Sequence, residues 1–252
     1  VQGVTLTLAS GGELPSIAYG TAHIKDADTI LEAIRAGYRH IDTAVLYDNH
    51  LAVGDAIRRS GLPRGEVFLT TKVGFFPSGL HAIWRWILDM HEGSAGISVA
   101  AGKGREQAAL RAALQDLGVD QIDLCLLHSP FTGFLELLGA FLPHRLGRAK
   151  PFKWQPLRKI SASVRQLLQW VGGVLGMSPE AAADVRRLSW EQLEAAQSDG
   201  LCRFIGVSNY DAALLAELAD AKVFPAVNQI EAHTMFQNRE TRVYCEEHGV
   251  AV

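Results

Sequence analysis

Apolar residues along the chain come in two alternating patterns, short dense runs and longer stretches where they recur every three or four positions. The dense runs predict buried strands, and the spaced ones predict amphipathic helices. Val4–Leu8 alternates, Ser10-Gly11-Gly12 turns, and Glu13–Ile17 returns, which predicts a hairpin. Ile17–Tyr19 is a short apolar piece leading into Gly20-Thr21. A helix then runs to Ala36, with Asp26 or Asp28 as its cap and Ile30, Leu31, Ala33 and Ile34 on one face. Gly37 stops it. Tyr38–Ile41 reads as a strand ending at Asp42, about Asn49 to Arg59 as a helix, and Glu66–Thr70 as a strand with Lys72 just past its end. Later come helix Arg105–Leu117, strand Ile122–Leu127 broken only by Asp123, and His128 directly after it. Helix Leu188–Gln197, strand Arg203–Val207, helix Asp211–Ala221, strand Phe224–Val227 and helix Arg239–His248 follow, before Gly249 opens a further strand.

Short apolar strands alternating with amphipathic helices predict a parallel sheet covered on both faces. A doubly wound sheet should carry a glycine-rich turn after its first strand, but Tyr19-Gly20-Thr21 has no G-x-G-x-x-G. A barrel gathers functional residues from the ends of many strands. Asp42, Lys72, His128, Ser208-Asn209 and Gln229 each follow a different strand. The expectation is a single α/β domain over 1–252, a (β/α)8 TIM barrel with six strand–helix units and the start of a seventh strand.

Two regions break the pattern, at about 74–104 and 131–187. The first holds an aromatic stretch, His81–Met90, that reads as a possible helix, then small-residue linker composition. The second holds an apolar patch, a basic and aromatic run from His144 to Trp170, and a possible helix near Val164–Leu175. Both follow strands that lead to the functional rim, so each could be a lid or a partner surface. The basic run could instead meet a membrane surface or an acidic partner. Disordered loops or a translated intron are further readings.

Composition narrows the function. The 252 residues are 48% hydrophobic and carry a net charge of -3, which suits a sizeable core and makes no case for nucleic acid as partner. Cys125, Cys202 and Cys245 are widely spaced, forming neither a metal pattern nor a disulfide framework, and fit a reducing, cytoplasmic setting. No apolar run reaches the roughly 18–20 residues of a membrane span. A monomer is expected. The chain opens at Val1 and stops inside the opening of a strand, so a longer natural protein is also expected.

Taken singly, each polar residue has an ordinary reading. Asp42 could turn the chain, Tyr47 could pack, Lys72 could be solvated, His128 could be a loop residue, and all four could form a structural ion-pair network. Brought to one rim, they have a use. Hydride reduction of a carbonyl needs a proton donor, and a free phenol, with a pKa of about 10, is a slow one at neutral pH. An ammonium beside a phenol makes release easier, a carboxylate holds the ammonium, and an imidazole can orient the carbonyl oxygen. Ser208, Asn209 and Gln229 have side chains suited to a carboxamide such as that of nicotinamide; capping of the strand ends is the plain alternative.

At this level the chain resembles the aldo-keto reductase family. GYRHIDTAVLYDN with Asp42 and Tyr47, LTTKV with Lys72, IDLCLLHSP with His128, IGVSNY with Ser208 and Asn209, and VNQIEAH with Gln229 match its motifs in order. The resemblance implies reduction of aldehydes or ketones with NADPH, less often NADH, and no Rossmann fold. It implies Tyr47 as proton donor, Lys72 and Asp42 as its tuning pair, and His128 orienting a small carbonyl substrate. Asp42 and Thr21 would lie near the cofactor, and Ser208, Asn209 and Gln229 would hold the nicotinamide. The family's later aromatic and phosphate-binding segments lie beyond Val252, so weak NADPH binding by residues 1–252 alone is expected. Ala22 stands where many members carry tryptophan, which leaves substrate preference open. The alternatives are a non-catalytic cofactor-binding or scaffold subunit, since the family includes channel-associated members, and an inactive truncated remnant.

Overall fold

The computed structural model describes residues 4–74, 105–131 and 178–252. The expected helices His81–Met90 and Val164–Leu175 and the basic run from His144 to Trp170 lie outside them.

The chain opens with an antiparallel hairpin, β1 (Thr5–Thr7) and β2 (Glu13–Pro15). Six parallel strands follow in one sheet: β3 (Tyr19–Gly20), β4 (His40–Asp42), β5 (Phe68–Val73), β6 (Ile122–Leu127), β7 (Cys202–Ser208) and β8 (Asn228–Gln229). Their order in space is their order in sequence, without the reversal that a doubly wound sheet requires. A parallel bridge from Val227 to Ala251 begins the next pairing. The helices between them are α1 (Ala27–Arg35), α2 (His50–Ser60), α3 (Glu106–Leu117), α4 (Pro179–Ser198), α5 (Ala212–Ala216) and α6 (Arg239–Glu247). No helix among the described residues is long and apolar enough to cross a membrane.

Both faces of the sheet are apolar because two cores use them. On one face, Ile41, Leu69, Val73, Cys125, Leu127, Ile205 and Val207 pack in the cluster that includes Ile30, Ile34, Val53, Leu110, Leu114 and Leu193 of the helices. On the other face, Phe68, Leu124, Leu126 and Phe204 meet Leu8 and Leu14 of the hairpin. The hairpin therefore closes the end of the sheet where the strands begin. Gly12 is needed there: a Cβ would come within 2.4 Å of the Phe204 ring, and its φ of 109° disfavours a side chain. At the same end Asp123 holds Arg64 at 2.7 Å, Arg203 at 2.9 Å and the Leu69 amide at 2.9 Å. That explains the one charge in an otherwise apolar run.

Several boundaries differ from the sequence expectation, each for a local reason. The expected strand from Tyr38 starts at His40, because the Gly37 and Tyr38 amides close the end of α1 on Ile34 and Ala33. The Arg39 guanidinium supports that turn from the Ile34 and Tyr38 carbonyls. The strand expected over Glu66–Thr70 runs Phe68–Val73: Glu66 belongs to a 3-10 turn, and Lys72 lies inside the strand instead of past it. Pairing of the strand expected over Phe224–Val227 starts after Pro225, with the Ala226 amide on Ile205, so Gln229 is its last residue and not its sequel. The helix expected from Leu188 starts at Pro179, inside the region read as irregular to Arg187, with the Ser178 hydroxyl capping the Ala181 amide at 3.2 Å. The helix expected over Asp211–Ala221 is regular only to Ala216, after which amides reach carbonyls three residues back.

Buried histidines tie this fold to pH. His50 of α2 bonds the Thr71 hydroxyl at 2.8 Å, and His40 bonds that of Thr70 at 2.8 Å. Burial pushes the pKa of His50 from 6.5 down to about 4 and lowers that of His40. A depressed pKa means that the unfolded chain takes up more protons below about pH 6.5. The stabilisation from neutral His50, up to about 3 kcal/mol, is thus present above that pH and lost as pH falls toward about 4. The urea midpoint should drop between pH 7 and pH 5, and His50→Gln should make that drop smaller. An equal drop in both proteins would show that His50 is not responsible.

Candidate active site

The sheet places polar residues where its strands end. Asp42 is the last residue of β4, Lys72 the penultimate residue of β5, and Ser208 and Gln229 close β7 and β8. His128 follows β6 directly, its amide donating to the Val73 carbonyl at 2.8 Å. Period-two alternation sends Lys72 to the same face as Phe68 and Thr70, away from the helices. On that face it is 1% exposed.

An ammonium so deeply buried must be compensated. Lys72 Nζ donates to Asp42 Oδ1 in an ion pair, to the Thr43 carbonyl at 3.2 Å and to the Tyr47 hydroxyl at 3.4 Å. It also sits 5.0 Å from the centre of the Tyr47 ring. Asp42 Oδ2 takes the Gln229 side-chain amide at 3.0 Å. The His128 ring meets Tyr47 edge-on, with centroids 5.7 Å apart and planes at 83°. Asp42, Tyr47, Lys72 and His128 therefore form one cluster. Burial, and secondarily the Lys72 charge, hold the His128 pKa well below 6.5, so its imidazole is neutral at neutral pH.

Ser208, Asn209 and Gln229 form a second, contiguous group. The Ser208 hydroxyl donates to the Gln229 carbonyl at 3.0 Å. Asn209 Nδ2 donates to Ser208 Oγ at 3.0 Å and to the His128 carbonyl at 3.1 Å. Asn209 takes a left-handed backbone, φ 63°, where asparagine is tolerated better than most residues. The side-chain carbonyl oxygens of Asn209 and Gln229 accept nothing from the described residues, and both side chains face solvent. Those two acceptors fit the amide N–H groups of a carboxamide. Thr21 is fully buried, with its amide and hydroxyl both on the Asp42 carbonyl, at 2.9 and 3.0 Å. Its contact with the site is thus structural, through the backbone beneath Asp42.

Sequence reasoning missed two residues here. Asn49 was read only as the start of a helix, yet its buried amide links Thr21, Ile24 and Thr43. Lys25 was not singled out, and it reaches the carbonyls of Tyr47 and Asp48, each at 2.8 Å. The Y-D-N spacing after Asp42 was the only signal for Asn49; nothing local pointed to Lys25.

The family model described as "Aldo/keto reductase family" matches residues 16–252. Glycerol 2-dehydrogenase (NADP(+)) of Saccharomyces cerevisiae is 29% identical over 98% of this chain and 66% of its own length. An aldo-keto reductase of Mycolicibacterium vanbaalenii is 31% identical over 98% of this chain and 64% of its own length. The crystal structure of a Bombyx mori aldo-keto reductase in complex with NADP superposes with a TM-score of 0.63 at 25% identity. It covers 100% of this chain and 66% of that one. The chain thus spans just under two thirds of the length of these relatives.

The buried pair makes a stability prediction. Lys72→Met leaves the Asp42 carboxylate buried without its cation and should cost about 3–5 kcal/mol. Adding Asp42→Asn should recover a large part of that loss, because no charge is then left unpaired. Urea unfolding of the single and double variants measures it, and strictly additive losses would contradict the pairing.

Proposed function

The chain belongs to the aldo/keto reductase family, and on that premise we propose that it reduces aldehydes or ketones to alcohols with Tyr47 as proton donor. The observation that carries the reading is the contact of Lys72 Nζ with both the Asp42 carboxylate and the Tyr47 hydroxyl. An ammonium beside the phenol oxygen stabilises the anion left when the proton departs. Asp42 keeps that ammonium in place and offsets its charge. His128, neutral and set against the Tyr47 ring, orients the substrate oxygen by hydrogen bonding.

A reduced nicotinamide dinucleotide, NADPH in preference to NADH, supplies the hydride when bound. Ser208, Asn209 and Gln229 would hold its carboxamide, and the exposure of Asn209 and Gln229, whose side-chain oxygens accept nothing from the described residues, supports that fit. The NADP named for the Saccharomyces cerevisiae and Bombyx mori relatives favours the phosphorylated form. Asp42 and Thr21 flank the same end of the sheet. In the reaction the carbonyl carbon gains hydride, Tyr47 releases its proton to the carbonyl oxygen, and solvent later returns a proton to Tyr47. Three unpaired, buried cysteines support a reducing compartment, the cytoplasm, as the setting. A non-catalytic binding subunit is the less economical reading: binding alone does not require burying a lysine against a carboxylate beside a half-buried phenol.

Tyr47→Phe in the full-length protein tests the role. Aldehyde turnover should fall about 10²- to 10⁴-fold, the range of a lost general acid, while cofactor affinity stays near wild type. Retained turnover would overturn the assignment.

A further inference from the structure

Tyr47 lies at the end of a single 3-10 turn, Val45–Tyr47, closed by two backbone bonds, from the Tyr47 amide to Ala44 and from the Asp48 amide to Val45. Two side chains from outside that turn tie its surroundings to the loop after β3. Asn49, 4% exposed, accepts the Thr43 hydroxyl at 2.6 Å and donates to the carbonyls of Thr21 and Ile24 at 2.9 and 2.8 Å. Its Nδ2 also lies 3.1 Å from the Thr21 hydroxyl. Thr21 in turn binds the Asp42 carbonyl through both its amide and its hydroxyl. This closes a buried circuit, Asp42–Thr43–Asn49–Thr21, between the loops after β3 and β4. From the outer side, Lys25 Nζ donates to the carbonyls of Tyr47 and Asp48 at 2.8 Å each and meets Asp48 Oδ2 at 3.3 Å. Asp48 holds a left-handed backbone, φ 49°, which turns its carbonyl and that of Tyr47 toward Lys25.

We infer that Lys25 and Asn49 clamp the loop after β3 to the Tyr47 turn and so position Tyr47 for proton transfer. The inference rests on the reading of Tyr47 as proton donor. Neither residue touches the acting groups; both are positioning residues. Asn49 supplies the larger share, because its bonds to Thr43 and Thr21 are buried, the one to Ile24 is partly so, and one side chain joins both loops. The Lys25–Asp48 ion pair itself adds little, since the two side chains are 59% and 39% exposed. What Lys25 adds is geometry: two carbonyls pinned on either side of the left-handed residue. A misplacement of about 1 Å at a reacting group costs about 10²-fold in rate, so loosening this turn should be visible in kcat.

The test compares Lys25→Met, Lys25→Arg, Asn49→Ala and Tyr47→Phe in the full-length protein, using NADPH and an aliphatic aldehyde. Asn49→Ala should lower kcat about 100-fold, and Lys25→Met about 10-fold, with KM for the aldehyde within about threefold of wild type. Lys25→Arg, which keeps donors for the two carbonyls, should restore most of the loss. Deuterium exchange should rise over residues 43–49 in both loosened variants, and Lys25→Met, being exposed, should melt at the wild-type temperature even if Asn49→Ala folds poorly. Turnover lost in Tyr47→Phe but kept at the wild-type kcat in Lys25→Met and Asn49→Ala would overturn the clamp alone. Turnover kept in Tyr47→Phe would overturn the proton-donor reading beneath it.

Discussion

Burying an ammonium is costly, and Lys72 is buried almost completely. The end of the sheet is arranged around meeting that cost. Parallel pairing of β4 with β5 sets Asp42 opposite Thr70, one strand away from Lys72 and close enough for a direct ion pair. Gln229, from β8, takes the second carboxylate oxygen. The Thr43 carbonyl and the Tyr47 hydroxyl take what remains of the lysine's donors. A phenol is therefore drawn against an ammonium by the same requirement that keeps the fold intact. In this sense the compensation of a buried charge and the placing of the proposed proton donor are one interaction.

The two ends of the sheet divide the work. Where the strands begin, the hairpin fills the space with Leu8 and Leu14, and Asp123 is satisfied by two arginines and a backbone amide. That end is closed and structural. Where they end, the polar groups are gathered, and Asn209 and Gln229 stay exposed with side-chain oxygens that accept nothing from the described residues. This separation is the one that parallel barrels use, with stability at one face and chemistry at the other. The loop after β4 carries Tyr47, the proposed proton donor. It is held by side-chain bonds from Asn49 and Lys25, where a longer regular element would have held it through its backbone.

Much of this was legible in the sequence. The alternation of dense and spaced apolar runs gave the strand and helix order, and the polar residue following each run marked the rim where the structure gathers them. Asp42, Lys72 and His128 stood out because polar residues at strand ends have few structural uses, and the structure brings them and Tyr47 into one cluster. Boundaries were less readable where polar residues are buried. Thr70, Thr71 and Lys72 look like the end of a strand, yet they are its interior, because the two hydroxyls bond His40 and His50 and the lysine is paired with Asp42. Residues 179–187 look irregular because alanines and charges blur the period, and only Ser178-Pro179 marks the start. Thr21, expected beside the cofactor, spends its donors on the backbone of Asp42. Asn49 and Lys25 could not be found from pattern, since their partners are carbonyls, which every residue has.

The central claim is that the Lys72 contact with Asp42 and Tyr47 is what makes proton transfer to a carbonyl fast. The most direct measurement is single-turnover aldehyde reduction by the full-length protein with prebound NADPH, comparing wild type with Lys72→Met at a temperature where both are folded. The account predicts that the reduction step slows by about 10²-fold or more while NADPH binding, read from its fluorescence, is retained. An unchanged reduction rate in Lys72→Met would contradict it.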